Sequence, residues 1–582
     1  LSIGISAHAS DVVTNDFRHL GPVIDSLLRV RTSVSDKIKI KKVVLSKDRL
    51  DIDLGSGISN FPLRSDDISW LRGTLKEMLP EKYKEKKIGE LRCGKKSISS
   101  LVVAAPGNDG NPAVGIRSDG TRGPQVVNRG IEAKKGLEGR NIALWQSHGY
   151  YYNNPDSTWN WQRPVIFQIV EDLFTQSFVV PFLVPMLENA GANVFMPRER
   201  DWHSEEIIID NDRAEDSSGR IHGEIVESGK WDKGVSGFAD AKPSYTDGES
   251  PFYMGSFLAL ESTISKNKAS RISWVAEIPS DGEYAVYVTY PMLPNACSAV
   301  QYTVHTSGGD FPVTVNQSIG GGVWEYLGTY GFSAGRHALV SISNWSREKG
   351  TVSADAVRIG GGMGCIARPS ADSSGFAVSG KPRFSEAARY FLQWSGFPDK
   401  VWNQNEGGND YRDDIMCRGA WVRHLLGGSR WDRDGKGLGV PIDASLAWHT
   451  DAGTFPNDSI VGTLAIHTLK CENSEKFANG ESRRACREIT DFIQTEVTDD
   501  IRSNWDSRWT RRQIWNRSYS ESRTTGVPAI LLELLSHQNF EDMKYGLDPS
   551  FQFTVSRAVY KGMLKFLSEL YGKPYTVQPL PV

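Results

Sequence analysis

The sequence has no apolar run that could span a bilayer, for which about 20 residues are needed. The best candidate, residues 178–187, is short and contains Pro181 and Pro185. An excess of charge is also missing, since the formal net charge is −3 and the isoelectric point is near 6.5. Such a chain has no long-range attraction for nucleic acid or an anionic membrane. The composition therefore excludes an integral membrane protein and indicates no nucleic-acid partner.

Cysteine is scarce, with six residues among 582 and no Cys-x-x-Cys. This spacing argues against a thiolate zinc site and against a redox motif. If a disulfide exists, we expect it to join Cys471 and Cys486, but six reduced thiols are an equally good expectation. The cysteine count therefore leaves the cellular compartment open.

Several catalytic signatures are absent. The chain has no His-Glu-x-x-His, which argues against a thermolysin-like peptidase, and no Gly-x-Ser-x-Gly around Ser147, which argues against a standard α/β-hydrolase. The glycine cluster at residues 360–364 lacks the Lys-Ser/Thr pair of a phosphate loop, so it predicts a linker.

The length is too great for a single core and predicts three or four domains. Hydrophobic periodicity changes along the chain from mixed helix and strand to regularly alternating strands and back again. We therefore predict a multidomain α/β protein in which an inserted all-β sandwich interrupts one α/β domain and a small α/β domain comes first. The predicted segments are 1–135 for the small domain, 136–204 and 366–582 for the interrupted domain, and 205–365 for the sandwich.

Three local predictions bear on the site. Residues 169–189 carry an apolar helical stripe that Pro181 and Pro185 should kink or split. Ser385 is predicted to cap a helix that runs to Trp394. Residues 150–162 are rich in aromatic residues and asparagine and are predicted to form a loop.

Four polar residues stand beside apolar stretches: His148, Glu171, His449 and Glu533. Burying a lone imidazole or carboxylate there is costly unless it is paired. A single buried histidine more often bonds to backbone than to a metal, and Glu171 could simply favour a helix N-terminus. Taken together, however, two histidines and a carboxylate match a zinc site with an open fourth position, and a further carboxylate could serve as a base.

The same residues lie in an ordered set of motifs that resembles the zinc-dependent N-acetylmuramoyl-L-alanine amidases of bacterial cell-wall turnover. That family has a strand ending in His-Gly, a Glu that opens the next helix, a strand and Arg-containing turn, a Ser-x-His strand end, and a late Pro-Ala-x-Leu-x-Glu strand. In this chain three residues separate Ser445 from His449 in the fourth element. The corresponding residues here are Ser147-His148-Gly149, Glu171-Asp172-Leu173, residues 194–201, residues 445–449, and Pro528-Ala529-Ile530-Leu531-Leu532-Glu533.

The resemblance implies an α/β amidase domain with Zn²⁺ bound by His148, Glu171 and His449, and with Glu533 as the catalytic carboxylate. It implies hydrolysis of the amide between N-acetylmuramic acid and L-alanine, with peptidoglycan or a muramyl peptide as partner. A periplasmic, secreted or cell-envelope location follows from the same resemblance. Because the chain begins with Leu1, we expect that an upstream segment was removed.

Other residues complete the predicted site. Tyr150, Tyr151 and Trp159 could stack on a muramyl sugar or could shield the site. His537 could line the cleft, and both His467 and His537 stay open as replacements for a ligand. The segment 353–360 resembles the golvesin-type module of proteins labelled xanthan lyase, which implies a sandwich with possible glycan contact.

Two other functional classes stay open. One is a non-catalytic glycan-binding or scaffold protein whose amidase-like core has decayed, and metal analysis separates it from an enzyme. The other is a polysaccharide lyase, which should produce unsaturated sugar ends without depending on His148 or His449.

Overall fold

A computed structural model describes residues 11–103, 124–130, 136–212, 221–372, 375–428 and 435–578. Over these residues the protein has several domains, in which helices and many sheets enclose separate apolar cores. Among the described helices, none is long and apolar enough to cross a membrane. All six cysteines lie within the described ranges, and none of them forms a disulfide.

The first unit has its own core and a five-stranded sheet whose order follows the sequence. Its strands are Asp11–Val12, Lys42–Ser46, Arg49–Asp53, Lys87–Cys93 and Lys96–Ser97, and its helices are Leu20–Thr32 and Ser65–Glu77. This unit contacts a long helix of the last part of the chain, Arg484–Asn504. There Arg64 donates to both carboxylate oxygens of the buried Asp491, at 2.5 and 2.7 Å.

A six-stranded central sheet follows and carries the polar residues of interest. Its spatial order is Asn193–Phe195, Asn141–Gln146, Ala444–Asp451, Ala529–Ser536, Thr463–His467 and Arg511–Asn516. The first four strands are parallel, and the fifth runs antiparallel to the fourth. Strands from before and after the sandwich therefore pair directly within one sheet.

Helices cover both faces of this sheet, because alternate strand residues point to opposite sides. Leu144 and Leu446 pack into one core with the helices Arg484–Asn504 and Pro549–Leu570. Trp145 and Ala447 pack into the other core, which includes the helix Asp410–Leu426 and the sandwich. Strands that are buried on both faces explain the continuous apolar runs in the sequence.

The helical stripe before Asn193 is broken, as its prolines predict. It consists of Glu171–Phe174, Gln176–Phe178, a π-helical turn at Val179–Leu183, and Val184–Asn189. Pro181 lies inside the π-helical turn, where the regular α-helical hydrogen-bond ladder is already interrupted. The helix therefore begins at Glu171 with a short regular turn.

The sandwich consists of two large sheets and a smaller one. One sheet contains Ile221–His222, Ile207–Ile209, Val357–Ile359, Gly282–Val288 and Glu325–Phe332. The second contains Glu224–Ser228, Arg271–Ile278, Gly335–Ser343, Val300–Thr306, Gly309–Val315 and Val127–Asn128, and the third contains Asp232–Gly237, Gly255–Glu261 and Thr351–Ala354. Val127–Asn128 pairs with Thr314 and Val315, so these two residues belong to a sandwich sheet.

A buried ion pair joins the sandwich to the central domain. Arg358 of the sandwich donates to Glu199 at 2.7 Å, and both side chains are inaccessible to solvent. Tyr287 also donates to Glu199, at 2.5 Å. Glu199 follows the first strand of the central sheet, so this contact fixes the sandwich against that strand.

We expect Glu199→Ala to lower the free energy of unfolding by about 3–5 kcal/mol, because it leaves the buried Arg358 guanidinium without its nearest carboxylate. The measurement is denaturant unfolding followed by tryptophan fluorescence. Glu205→Ala, which removes an exposed carboxylate nearby, is the control and should change the stability by less than about 0.5 kcal/mol. Equal effects of the two substitutions would contradict the structural role of the ion pair.

Candidate metal centre

The four polar residues lie at one edge of the central sheet. Parallel strands bring their carboxyl ends to the same edge, where α/β proteins commonly bind ligands. His148 lies two residues after the strand Asn141–Gln146, and His449 and Glu533 are register partners on two neighbouring parallel strands. Glu171 begins the helix that follows the first of these strands. The fold therefore brings together residues that are as much as 385 positions apart in the sequence.

Glu171 lies between the two imidazoles. Its Oε2 is 3.7 Å from Nε2 of His148, and its Oε1 is 3.5 Å from Nδ1 of His449. The two rings meet edge to face with centroids 4.9 Å apart. All three residues are at most 5% exposed, and each offers a ligand atom within 4.8 Å of the other two. This His-Glu-His group could bind a metal ion.

The distances between these ligand atoms, and an unpaired carboxylate oxygen nearby, fit a bound metal ion. Four ligands about 2.0–2.1 Å from a tetrahedral zinc lie roughly 3.3–3.4 Å from one another, close to the separations seen here. Oε2 of Glu533 is buried and has no hydrogen-bond partner among the described residues. Buried polar atoms are normally paired, so this unpaired oxygen indicates a missing ligand or water.

A second carboxylate orients His449. Nε2 of His449 is 3.1 Å from Glu521, so its Nδ1 faces Glu171. Glu521 in turn accepts hydrogen bonds from Nε1 of Trp145 at 2.6 Å and from Arg418 at 2.7 Å. Histidines that bind metals usually have their other nitrogen held in this way. Arg418, in the helix Asp410–Leu426, thus holds Glu521 in place.

Burial and neighbouring charges shift the pKa values of three groups at the site. Burial opposes protonation of His449, but Glu521 and Glu171 raise its pKa to about 10. Desolvation raises the pKa of Glu533 to about 8, although the neighbouring His449 acts in the opposite direction. Burial, reinforced by His449, keeps the pKa of His148 well below its usual value. In the metal-free pocket, nearby carboxylates thus favour a proton on His449, and a bound metal ion would take the place of that proton, because only a neutral imidazole can act as a ligand.

A buried arginine fixes the two segments that supply His148 and Glu171. Arg198 donates to the backbone carbonyls of Gln146 at 2.8 Å and of Asp172 at 3.3 Å. Its Nε donates to the carbonyl of Glu386 at 3.0 Å. Arg198 lies in the Arg-containing turn of the motif set, and it ties the end of one strand to the start of the helix.

Arg163 and His537 border the centre. Nη2 of Arg163 is 3.0 Å from Nε2 of His148, and its Nε is 3.4 Å from Glu171. Nδ1 of His537 is 3.0 Å from the hydroxyl of Thr450, whose backbone N–H donates to Glu171 at 3.2 Å. Nε2 of His537 has no partner among the described residues. His537 therefore lies beside the predicted ligands, next to Thr450.

The aromatic segment after His148 is a hairpin and not the predicted loop. Its strands are Tyr150–Asn153 and Thr158–Trp161. Tyr150 lies nearly parallel to Trp159 with centroids 6.3 Å apart, and Tyr151 meets Tyr411 at 5.6 Å. Cross-strand pairing of aromatic residues stabilises such a hairpin. A role of Tyr150, Tyr151 and Trp159 in substrate binding stays a prediction.

His467 lies at the end of the sheet opposite to the one that carries the four polar residues. Its strand runs antiparallel to Ala529–Ser536, and Ile466 pairs with Leu531, so His467 lies near the beginning of that strand. Glu533 and the metal ligands lie toward the other end. His467 therefore does not replace a ligand, which was one of the two possibilities left open by the sequence.

Two neighbours of the ligands were missed by the sequence analysis. Glu521 lies in the polar run 519–523, and Arg163 in a segment between two aromatic and apolar stretches. Neither residue stands at the end of an apolar strand, which is the signal that identifies the other four. Their roles depend on contacts between distant segments.

Comparison with known proteins supports the prediction that the inserted segment is a golvesin-type module. Residues 239–361 match the family model described as Golvesin C-terminal domain. The xanthan lyase of Bacillus sp. (strain GL1) is 38% identical over 89 residues, which is 15% of this chain and 10% of that protein. These matches confirm the predicted resemblance of the inserted segment, and the residues matched by the family model include none of the candidate metal ligands.

Solved structures give partial matches. A Paenibacillus xanthan lyase is 25% identical over 27% of this chain and 13% of its own, with a TM-score of 0.21. An N-acetylmuramoyl-L-alanine amidase from Clostridium difficile 630 is 16% identical over 22% of this chain and 59% of its own, with a TM-score of 0.18. The chain thus spans less than two thirds of each relative, and TM-scores at this level are too low to establish a shared fold.

Glu521→Gln should weaken zinc binding by about 10- to 100-fold, because the glutamine keeps the shape but removes the carboxylate that holds His449. The measurement is competition with a chromophoric chelator, together with thermal unfolding of the metal-free protein. Arg523→Gln, on the same short helix, is the control and should leave zinc affinity unchanged. An unchanged affinity in Glu521→Gln would show that Glu521 has no positioning role.

Proposed function

We propose that this protein is a zinc-dependent amidase that hydrolyses the bond between N-acetylmuramic acid and L-alanine in peptidoglycan. The observation that carries the proposal is the convergence of His148, Glu171 and His449 around one point, with Glu533 beside them. The substrate class comes from the resemblance of the ordered motif set to the zinc-dependent N-acetylmuramoyl-L-alanine amidases. A location in the cell envelope is part of the same proposal.

His148, Glu171 and His449 would hold the metal. When bound there, Zn²⁺ would polarise the amide carbonyl and acidify a water molecule. Glu521 holds His449 in the orientation that presents Nδ1, and the backbone N–H of Thr450 fixes the Glu171 carboxylate. Arg198 holds the two backbone segments in place. These contacts preorganise the three ligands before any substrate is bound.

Glu533 is suited to move the proton. It is opposite His449 in the sheet register, and its buried Oε2 makes no hydrogen bond to a described residue. Beside a cation its carboxyl group ionises, and it can then take a proton from the attacking water and deliver it to the departing amine of L-alanine. No covalent intermediate with the protein is required, because water is the nucleophile.

The decayed-scaffold alternative makes a different prediction about the same residues. A centre that has lost its function has no need to retain two imidazoles, a carboxylate between them and a carboxylate behind one of them. All of these are present here in mutually consistent orientations. The polysaccharide lyase alternative rests on the resemblance of the inserted module to proteins labelled xanthan lyase, and the matching xanthan lyase aligns over 89 residues, only 10% of its own length.

Zinc-loaded protein should release stem peptides with a free L-alanine amine from purified peptidoglycan. Glu533→Gln should lower kcat by about 10²- to 10⁴-fold, because the proton acceptor is lost, while one zinc per chain is retained. His449→Ala should abolish both zinc binding and hydrolysis, because a ligand is lost. The measurements are mass spectrometry of the released peptides and elemental analysis of each variant.

His305→Ala is the matched control, since this partly exposed histidine lies on the sandwich and pairs with Asp310. It should leave zinc content and hydrolysis unchanged. Zinc-loaded protein that releases no such peptide would refute the proposed activity, and so would full activity in Glu533→Gln. Saccharide binding without any zinc would favour the scaffold alternative.

A further inference from the structure

Two loops near the metal centre contain consecutive non-glycine residues in the left-handed region. Phe167 and Gln168 have φ of 52° and 62°, and Asn457 and Asp458 have φ of 63° and 52°. Asparagine and aspartate tolerate this conformation, whereas a bulky aromatic residue does not. Phe167 is therefore the exceptional member of the group.

Phe167 and Gln168 form the centre of a tight two-residue turn. The backbone N–H of Ile166 donates to the carbonyl of Ile169 at 2.9 Å, and Ile169 donates back to Ile166 at 3.0 Å. A turn with positive φ at both central residues is of type I′, for which Asn-Gly is the preferred sequence. The sequence here is Phe-Gln, so the turn holds an aromatic side chain in a sterically unfavourable backbone conformation.

The strained side chain is also exposed. Phe167 is 39% exposed and Phe540 is 55% exposed, and their ring centroids are 6.1 Å apart with planes inclined at 59°. Val165, in the same loop, is 64% exposed. Neither strain nor exposure of an aromatic pair stabilises the free protein. Exposed apolar groups of this kind commonly mark ligand-binding surfaces, and backbone strain persists mainly at functional sites.

The pair lies close in sequence to residues of the candidate metal centre. Phe167 is four residues from both Arg163 and Glu171, and Phe540 is three residues after His537. An extended chain of four residues spans at most about 14 Å, which bounds the distance from Phe167 to Glu171. The carboxylate of Asp458 accepts a hydrogen bond from the backbone N–H of Phe540 at 3.0 Å, so the second strained loop contacts a residue of this pair.

We propose that Phe167 and Phe540 form a stacking platform for a pyranose ring of the glycan strand next to the scissile amide. This inference rests on the proposed function, and it adds which part of the substrate these two residues contact. Phenylalanine offers no hydrogen bond, so the platform would contact the C–H face of the sugar. The carboxylate of Asp458 lies beside Phe540 and disfavours the carboxylates of a stem peptide.

The platform can be tested by calorimetric titration of the full chain with a short muramyl oligosaccharide that carries no peptide. Phe540→Ala and Phe167→Asn should each weaken saccharide binding by about tenfold, because an aromatic face is lost. Binding of the free stem peptide should not change. Phe167→Asn should also raise the thermal midpoint, since asparagine tolerates the left-handed conformation.

Gln168→Asn is the matched control, because it relieves strain in the same turn and keeps both rings. It should raise the thermal midpoint while leaving saccharide binding unchanged. Absence of saccharide binding by the wild type would overturn the platform, and so would unchanged binding in both aromatic variants or a loss confined to the free peptide. Platform-dependent saccharide binding without amidase activity would instead refute the proposed function and leave the platform standing.

Discussion

The structure of the centre depends on one carboxylate, Glu171, held between two buried imidazoles. Each of the three groups is costly to remove from water. Their separations of 3.5 and 3.7 Å are long for hydrogen bonds but match the spacing of ligands around one cation. The surrounding contacts serve this arrangement: Glu521 orients one imidazole, Arg198 fixes the backbone segments, and Thr450 holds the carboxylate.

The sheet topology explains why residues so distant in sequence can meet. Because four neighbouring strands are parallel, their carboxyl ends share an edge, and the sandwich can be inserted between two of them without disturbing the pairing. The buried contact between Glu199 and Arg358 then attaches the insert to the edge strand. The same edge carries the strained loop of Phe167, so catalysis and recognition would use neighbouring segments.

Much of the site could be predicted from the sequence, because a polar residue that ends an apolar run is a strong local signal. His148, His449 and Glu533 were found in this way. Glu521 was not found, since its importance comes from three partners on other segments. The predicted cap at Ser385 was wrong for a related reason: its hydroxyl donates to the carbonyl of Pro382 within a short 3₁₀ turn, and the helix begins later, at Ala388.

X-ray absorption spectroscopy at the zinc edge of the zinc-loaded protein tests the central claim most directly. Coordination by two imidazole nitrogens and one carboxylate, completed by solvent at about 2.0–2.1 Å, is the predicted result. The His148→Ala protein should then show a single imidazole. Sulfur ligands, or a wild-type shell without imidazole, would contradict the assignment of His148, Glu171 and His449 as the metal centre.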